Sequence, residues 1–309
     1  MKTLPKWVSD YNKTIGKVTK NDVQYTTLGN KLTEEMAKCA VNSEQLGQRG
    51  VTDMLTISFS CTDMVGHKYG THSEKTRETY VDVDKRLADL FSFLDNKIGN
   101  GQYLVFLTAD HGAANNILML QEHGIPSGGF FSGKVQKDLD EYLKSRFGTA
   151  ESLVTGIDNY RVKLNHTAIG KLQNMTFDAV KRAAIEHLQQ DSTVSYVVDL
   201  DRISETTIPA VIKEKIINGY YPGRSDDIQL IMKPAYYEIH GEKIDGGTTH
   251  GLWNPYDAHI PFLLMGWHVQ PQRLTKEVYI TDIAATVCSL IHIQMPNGCI
   301  GKPVKDSWE

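Results

Sequence analysis

The chain has 309 residues, 40% of them hydrophobic and 23% charged, with a formal net charge of −4. That length suits one large α/β domain or two ordinary ones, and the composition is that of a globular protein with a substantial core, which excludes the disordered and fibrous classes. The acidic balance excludes the broad basic surface of a nucleic-acid polymer binder but admits a small anionic substrate.

No apolar run approaches the ~20 residues of a membrane-spanning helix, and residues 1–12 lack the apolar stretch of a signal peptide. Residues 1–50 read as a peripheral segment containing one amphipathic helix over 32–46, where Met36, Ala40 and Leu46 share a face. The β-rich stretch over 53–60 predicts a buried strand, followed by a polar loop over 61–73. From residue 74 to 98, Tyr80, Val83, Leu87, Leu90, Phe91 and Leu94 recur at spacings of three and four and stop before Gly99, which predicts a long amphipathic helix. Residues 103–108 are apolar on both faces, as a strand inside a helix-covered sheet would be. Strand, helix and strand in succession predict a right-handed parallel crossover.

The pattern then weakens into a glycine-rich stretch over 127–133, a helix over 135–147, a short strand over 160–164 and a helix over 178–190. Together these predict a smaller α+β subregion inserted near 115–192. The core pattern resumes with strands over 194–198, 227–232 and 261–265 and a closing helix over 281–291. Four widely spaced cysteines, Cys39, Cys61, Cys288 and Cys299, form no Cys-x-x-Cys pair and read as buried or half-buried thiols.

Three segments place Asp or His beside glycine just beyond a predicted strand or inside a tight loop, where ligands converge in α/β sheets. In Asp63-Met-Val-Gly-His67, a carboxylate and an imidazole four residues apart face one ion if the chain between them turns helically; alone, such a pair is more often a solvated surface pair. In Asp110-His111-Gly112, two successive ligands follow the most apolar strand and suit a divalent cation, although a capping Asp beside an exposed His fits the same letters. In Gly246-Gly-Thr-Thr-His250-Gly251, glycines on both sides let the backbone approach whatever His250 binds, as they would in an ordinary glycine-rich loop. The remaining histidines carry no metal role in these motifs.

Taken together, the run 58–67, the run 106–112 and Gly247-Thr-Thr-His-Gly251, with Tyr256-Asp-Ala-His-Ile-Pro261, Thr281-Asp-Ile-Ala284 and Met295-Pro-Asn-Gly298, resemble the alkaline phosphatase superfamily, specifically its monomeric phosphate-monoesterase branch. The resemblance spans nearly the whole chain in the family's order. It implies an α/β fold with a mostly parallel sheet flanked by helices over residues 51–309, and a two-zinc site that hydrolyses small phosphate esters through a phospho-enzyme. Asp63, His67 and His250 match the ligands of the first zinc, and Asp110 and His111 match two ligands of the second. The family's first strand, nucleophile and phosphate-gripping residues precede the segment that matches Met1, so the resemblance implies an incomplete core, no nucleophile here, and self-association of the chain. Ser58, Ser60 and Thr62 do not occupy the nucleophile position. Export to the periplasm is implied by the resemblance alone. A phosphodiesterase or nucleotide pyrophosphatase of the same superfamily, and a non-catalytic metal-binding module, are the competing readings.

Overall fold

The computed structural model describes residues 22–305. Residues 1–21, with the expected start of the peripheral segment and the reading of residues 1–12, lie outside the described residues. In chain order the helices are α1 (Thr27–Ser43), α2 (Cys61–Tyr69), α3 (Glu74–Lys97), α4 (Ile117–Glu122), α5 (Ser132–Phe147), α6 (His166–Ile169), α7 (Phe177–Leu188), α8 (Ala210–Gly219), α9 (Pro255–Ala258) and α10 (Asp282–Leu290). The strands are β1 (Leu104–Thr108), β2 (Gly128–Phe130), β3 (Val154–Asp158), β4 (Arg161–Leu164), β5 (Val194–Asp199), β6 (Ile228–Met232), β7 (Tyr236–Glu238) and β8 (Phe262–Gly266). Several helices begin where a side chain satisfies a free amide: Asn116, Asn165 and Thr176 accept the backbone N–H of Met119, Ala168 and Ala179 at the starts of α4, α6 and α7. Among the described residues no helix is long and apolar enough to cross a membrane.

The chain divides into two compact units, one of residues 22–65, 74–110 and 260–305, the other of 66–73 and 111–259. In the first, β1 pairs with β8 antiparallel, from Leu104 against Gly266 to Thr108 against Phe262. Helices α1 and α3 share a polar seam in which Glu34, 1% exposed, takes an ion pair from Arg86 at 3.2 Å while Arg86 also reaches Asp82. In the second unit β3, β4, β6 and β5 form a four-stranded antiparallel sheet, and β2 pairs parallel with β7. Strand β6 is buried throughout. Its Ile228 and Leu230 join Leu139, Leu143, Val162 and Val180 in the main apolar core.

Several sequence expectations are met and several are corrected. The helices expected over 74–98, 135–147, 178–190 and 281–291 appear within about a turn of their predicted ends. The expected strand over 53–60 runs without ladder partners among the described residues, because a strand exists only through hydrogen bonds to a neighbour. The expected loop over 61–73 is largely helix α2. The α/β class holds, but the mostly parallel sheet does not: β1 takes β8, which arrives from far along the chain and runs in the opposite direction, and β5 and β6 belong to the antiparallel sheet. Cys61 and Cys288 are buried as expected, whereas Cys39 is exposed.

The strand pair β1 and β8 is apolar yet open. Leu263 and Met265 are 58% and 40% exposed, and Met54 and Leu55 of the same unit are 71% and 40% exposed.

Asp140 of α5 anchors the start of β3 in the second unit. Its Oδ1 accepts the Leu153 and Val154 amides at 2.7 and 3.1 Å and the Ser152 hydroxyl at 2.9 Å, and Lys144 lies 2.9 Å from its other oxygen. Burial alone would raise its pKa, but the lysine, the hydroxyl and the two amides together hold it below the ordinary carboxylate value of 3.8. Asp140→Ala is expected to cost about 2 kcal/mol at neutral pH, the size of a hydrogen-bonded charge lost from a folded chain. Because the folded pKa is depressed, this stability is present above the unfolded value and is lost as pH falls through the folded one. Denaturant midpoints at pH 7 and pH 3 check it: the gap between the unaltered chain and the variant should narrow at pH 3.

Candidate metal centre

The site begins on α2. Its helical turn places Asp63 and His67 on one face, four residues apart, which is the condition the sequence left open. The His67 ring is then fixed by its Nδ1, which lies 2.9 Å from the Thr248 carbonyl oxygen. A carbonyl oxygen can only accept, so Nδ1 carries a proton and Nε2 is left as the candidate ligand atom, the arrangement seen in metal-ligating histidines.

The loop carrying His250 is held against α2 by a buried polar framework. The Asn116 amide donates to the carbonyls of Asp245 and Gly247 at 3.0 and 2.6 Å, and the Tyr237 hydroxyl donates to the Gly247 carbonyl at 3.3 Å. Thr248 donates its hydroxyl to the Ala114 carbonyl, and the Ala114 amide donates to the Thr249 carbonyl at 3.0 Å. Asn116, Tyr237 and Thr248 are all buried. At Gly247 a Cβ would collide with the His67 carbonyl oxygen, so only glycine lets this loop approach the helix. Immediately after His250 the chain turns through Gly251 at φ +96°, a conformation that favours glycine.

These constraints bring one ligand atom from each of Asp63, His67 and His250 within 4.8 Å of one another. All three side chains are half-buried, accessible from solvent yet held on one side by the protein. The His67 and His250 rings lie 5.0 Å apart and tilted by 51°. His111, next in the chain after Asp110 beyond β1, stacks on His250 with ring centroids 3.4 Å apart and planes 10° from parallel. Its Nδ1 lies 2.8 Å from the Gly112 carbonyl oxygen, so Nδ1 carries a proton and Nε2 is the ring's candidate ligand atom. Asp110 is exposed. One carboxylate and two imidazoles in this arrangement form a donor set that suits a borderline divalent cation.

Asp257 was not singled out from the sequence, although it lies in the Tyr256-Asp-Ala-His-Ile-Pro261 motif. It is 3% exposed in α9, and burial pushes its carboxyl above the ordinary range, against the pull of the Leu252 amide and of His111. Of the other histidines, His166 pairs with buried Asp227 at 2.7 Å and stacks on Phe177, and His187 pairs with Asp138 at 2.8 Å and stacks on Tyr142.

The protein named "Calcium-transporting ATPase" from Myroides odoratus is 42% identical over 289 residues, 93% of this chain and 52% of that protein. Alkaline phosphatase PafA from Elizabethkingia meningoseptica is 40% identical over 284 residues, 92% of this chain and 51% of the relative; alkaline phosphatase PhoV from Synechococcus elongatus is 43% identical over 278 residues, 90% and 49%. The crystal structure of wild-type PafA superposes with a TM-score of 0.89 at 38% identity, covering 99% of this chain and 57% of that one, so the alkaline-phosphatase-like fold holds. The chain spans about half the length of the curated relatives it matches. Residues 2–253 match the family model described as type I phosphodiesterase / nucleotide pyrophosphatase, and the chain belongs to that family, within the alkaline phosphatase superfamily.

Proposed function

We propose that this chain is the metal-binding portion of a zinc-dependent phosphate-monoester hydrolase, whose nucleophile and phosphate-gripping residues lie in a segment outside it. The observation that carries the reading is the convergence of Asp63, His67 and His250 within 4.8 Å, in a chain 40% and 43% identical to two proteins named alkaline phosphatase. Asp63, His67 and His250 would hold one zinc, and Asp110 and His111 would contribute two ligands to a second. Divalent cations bound there supply Lewis acidity toward phosphoryl oxygens and lower the pKa of a hydroxyl or water at neutral pH.

The chain's own residues prepare that chemistry. The Thr248 and Gly112 carbonyls each accept the ring Nδ1–H, which leaves Nε2 of His67 and of His111 as the nitrogen that would ligate. The Asn116 and Tyr237 framework holds the His250 loop rigid before any ion arrives. The second site, with two protein ligands where a catalytic zinc ordinarily has three, would bind more weakly.

The exposed apolar side chains of β8 and of residues 54–55 support the reading that a further segment covers them, and that the chain alone self-associates. The domain reading, a peripheral 1–50 and a core over 51–309 with an inserted subregion near 115–192, belongs to the same proposal, as does export to the periplasm, which rests on the family resemblance alone. A phosphodiester or nucleotide pyrophosphate substrate is the second reading, favoured by the description of the matching family model. Elemental analysis of the purified chain tests the metal reading: about one zinc per chain is expected, one site having the three protein ligands of a catalytic zinc. A metal-free chain that stays metal-free on zinc addition would favour a non-catalytic module.

A further inference from the structure

The one-turn helix α9 touches both histidine loops of the centre at once. Its backbone receives the loop after His111: the Gly112 amide donates to the Asp257 carbonyl at 2.6 Å, and the Ala113 amide to the Tyr256 carbonyl at 3.1 Å. The approach is so close that a Cβ on Gly112 would collide with the Tyr256 carbonyl oxygen. Its side chain receives the loop after His250, for the Leu252 amide donates to Asp257 Oδ2 at 2.5 Å. The turn is itself anchored, because the Tyr256 hydroxyl accepts the Ala235 amide at 3.0 Å and a hydrogen bond from Asn254.

Asp257 Oδ1 is buried without a hydrogen-bond partner among the described residues. A buried acceptor left unmatched is destabilising, so a residue kept for packing alone would be better served by an apolar side chain. We propose that Asp257 is a positioning residue: it clamps the loops bearing His111 and His250 to one helical turn and so sets the spacing of their stacked rings. This rests on the metal reading for its purpose but not for its test.

The clamp is read first in the metal-free, unaltered chain by amide hydrogen exchange. The Gly112 and Leu252 amides should be protected although both lie in loops, and exchange at open-chain rates would overturn the proposal. Asp257→Ala removes the acceptor, whereas Asp257→Asn keeps an oxygen for the Leu252 amide. In the alanine variant Leu252 exchange should accelerate at least about tenfold, the behaviour of a loop opening locally. Its zinc dissociation constant should rise by about 10–100-fold, as for other residues that orient metal ligands. The asparagine variant should recover most of both losses. Unchanged exchange and affinity in the alanine variant, or equal losses in both variants, would overturn the clamp. If the unaltered chain takes up no zinc, the metal reading fails and the exchange measurements alone decide the clamp.

Discussion

Replacing His250 with alanine is expected to weaken zinc binding by about a hundredfold or more. Structural zinc sites gain about 10–16 kcal/mol from roughly four ligands, so one ligand accounts for about 3 kcal/mol, or two orders of magnitude in affinity. The loss should exceed that of one imidazole donor alone, because the His250 ring is also the surface on which His111 stacks at 3.4 Å. His123→Ala is the control: it removes an exposed histidine whose Nδ1 bonds only locally, 2.8 Å from the Met119 carbonyl. Calorimetric zinc titration of the three proteins checks the prediction. Equal affinity in all three would remove His250 from the centre.

How much of this was legible in the sequence differs between local and long-range features. The amphipathic helices were readable because their burial follows a period that the sequence itself displays. The expected loop over 61–73 became α2 even though Gly66 lies within it, since a glycine inside a helix costs only about 1 kcal/mol and does not end it. That single difference matters for the site: a helix puts Asp63 and His67 one turn apart, where a loop would leave their spacing open. Residues 53–60 carry strand character, but a strand needs a partner, and partners are set by the whole topology rather than by local letters. For the same reason the antiparallel pairing of β1 with β8, separated by most of the second unit, could not be read from apolar runs alone.

At the centre itself, the three motifs were visible as residue types beside glycine, and their convergence was implied by family resemblance rather than by spacing. Neither the stack of His111 on His250 nor the Thr248 carbonyl that fixes the His67 tautomer leaves a trace in the sequence. Asp257 was quoted within a motif, yet its role depends on two backbone contacts and one side-chain contact that only the folded loops create.

The most direct test of the central claim is hydrolysis of an aryl phosphate by the chain before and after mixing with the preceding segment of a full-length relative. If the metal ligands lie here and the nucleophile there, neither part alone should turn over. On the proposed reading the exposed apolar side chains of β8 would dock the added segment, and burial of each contributes about 1.5–3 kcal/mol. The account predicts no turnover from the chain alone and, after mixing, zinc-dependent turnover within about 1–1,000 per second, the ordinary range for enzymes. Robust hydrolysis by the chain alone, or none from a mixture shown to have assembled and bound zinc, would contradict it.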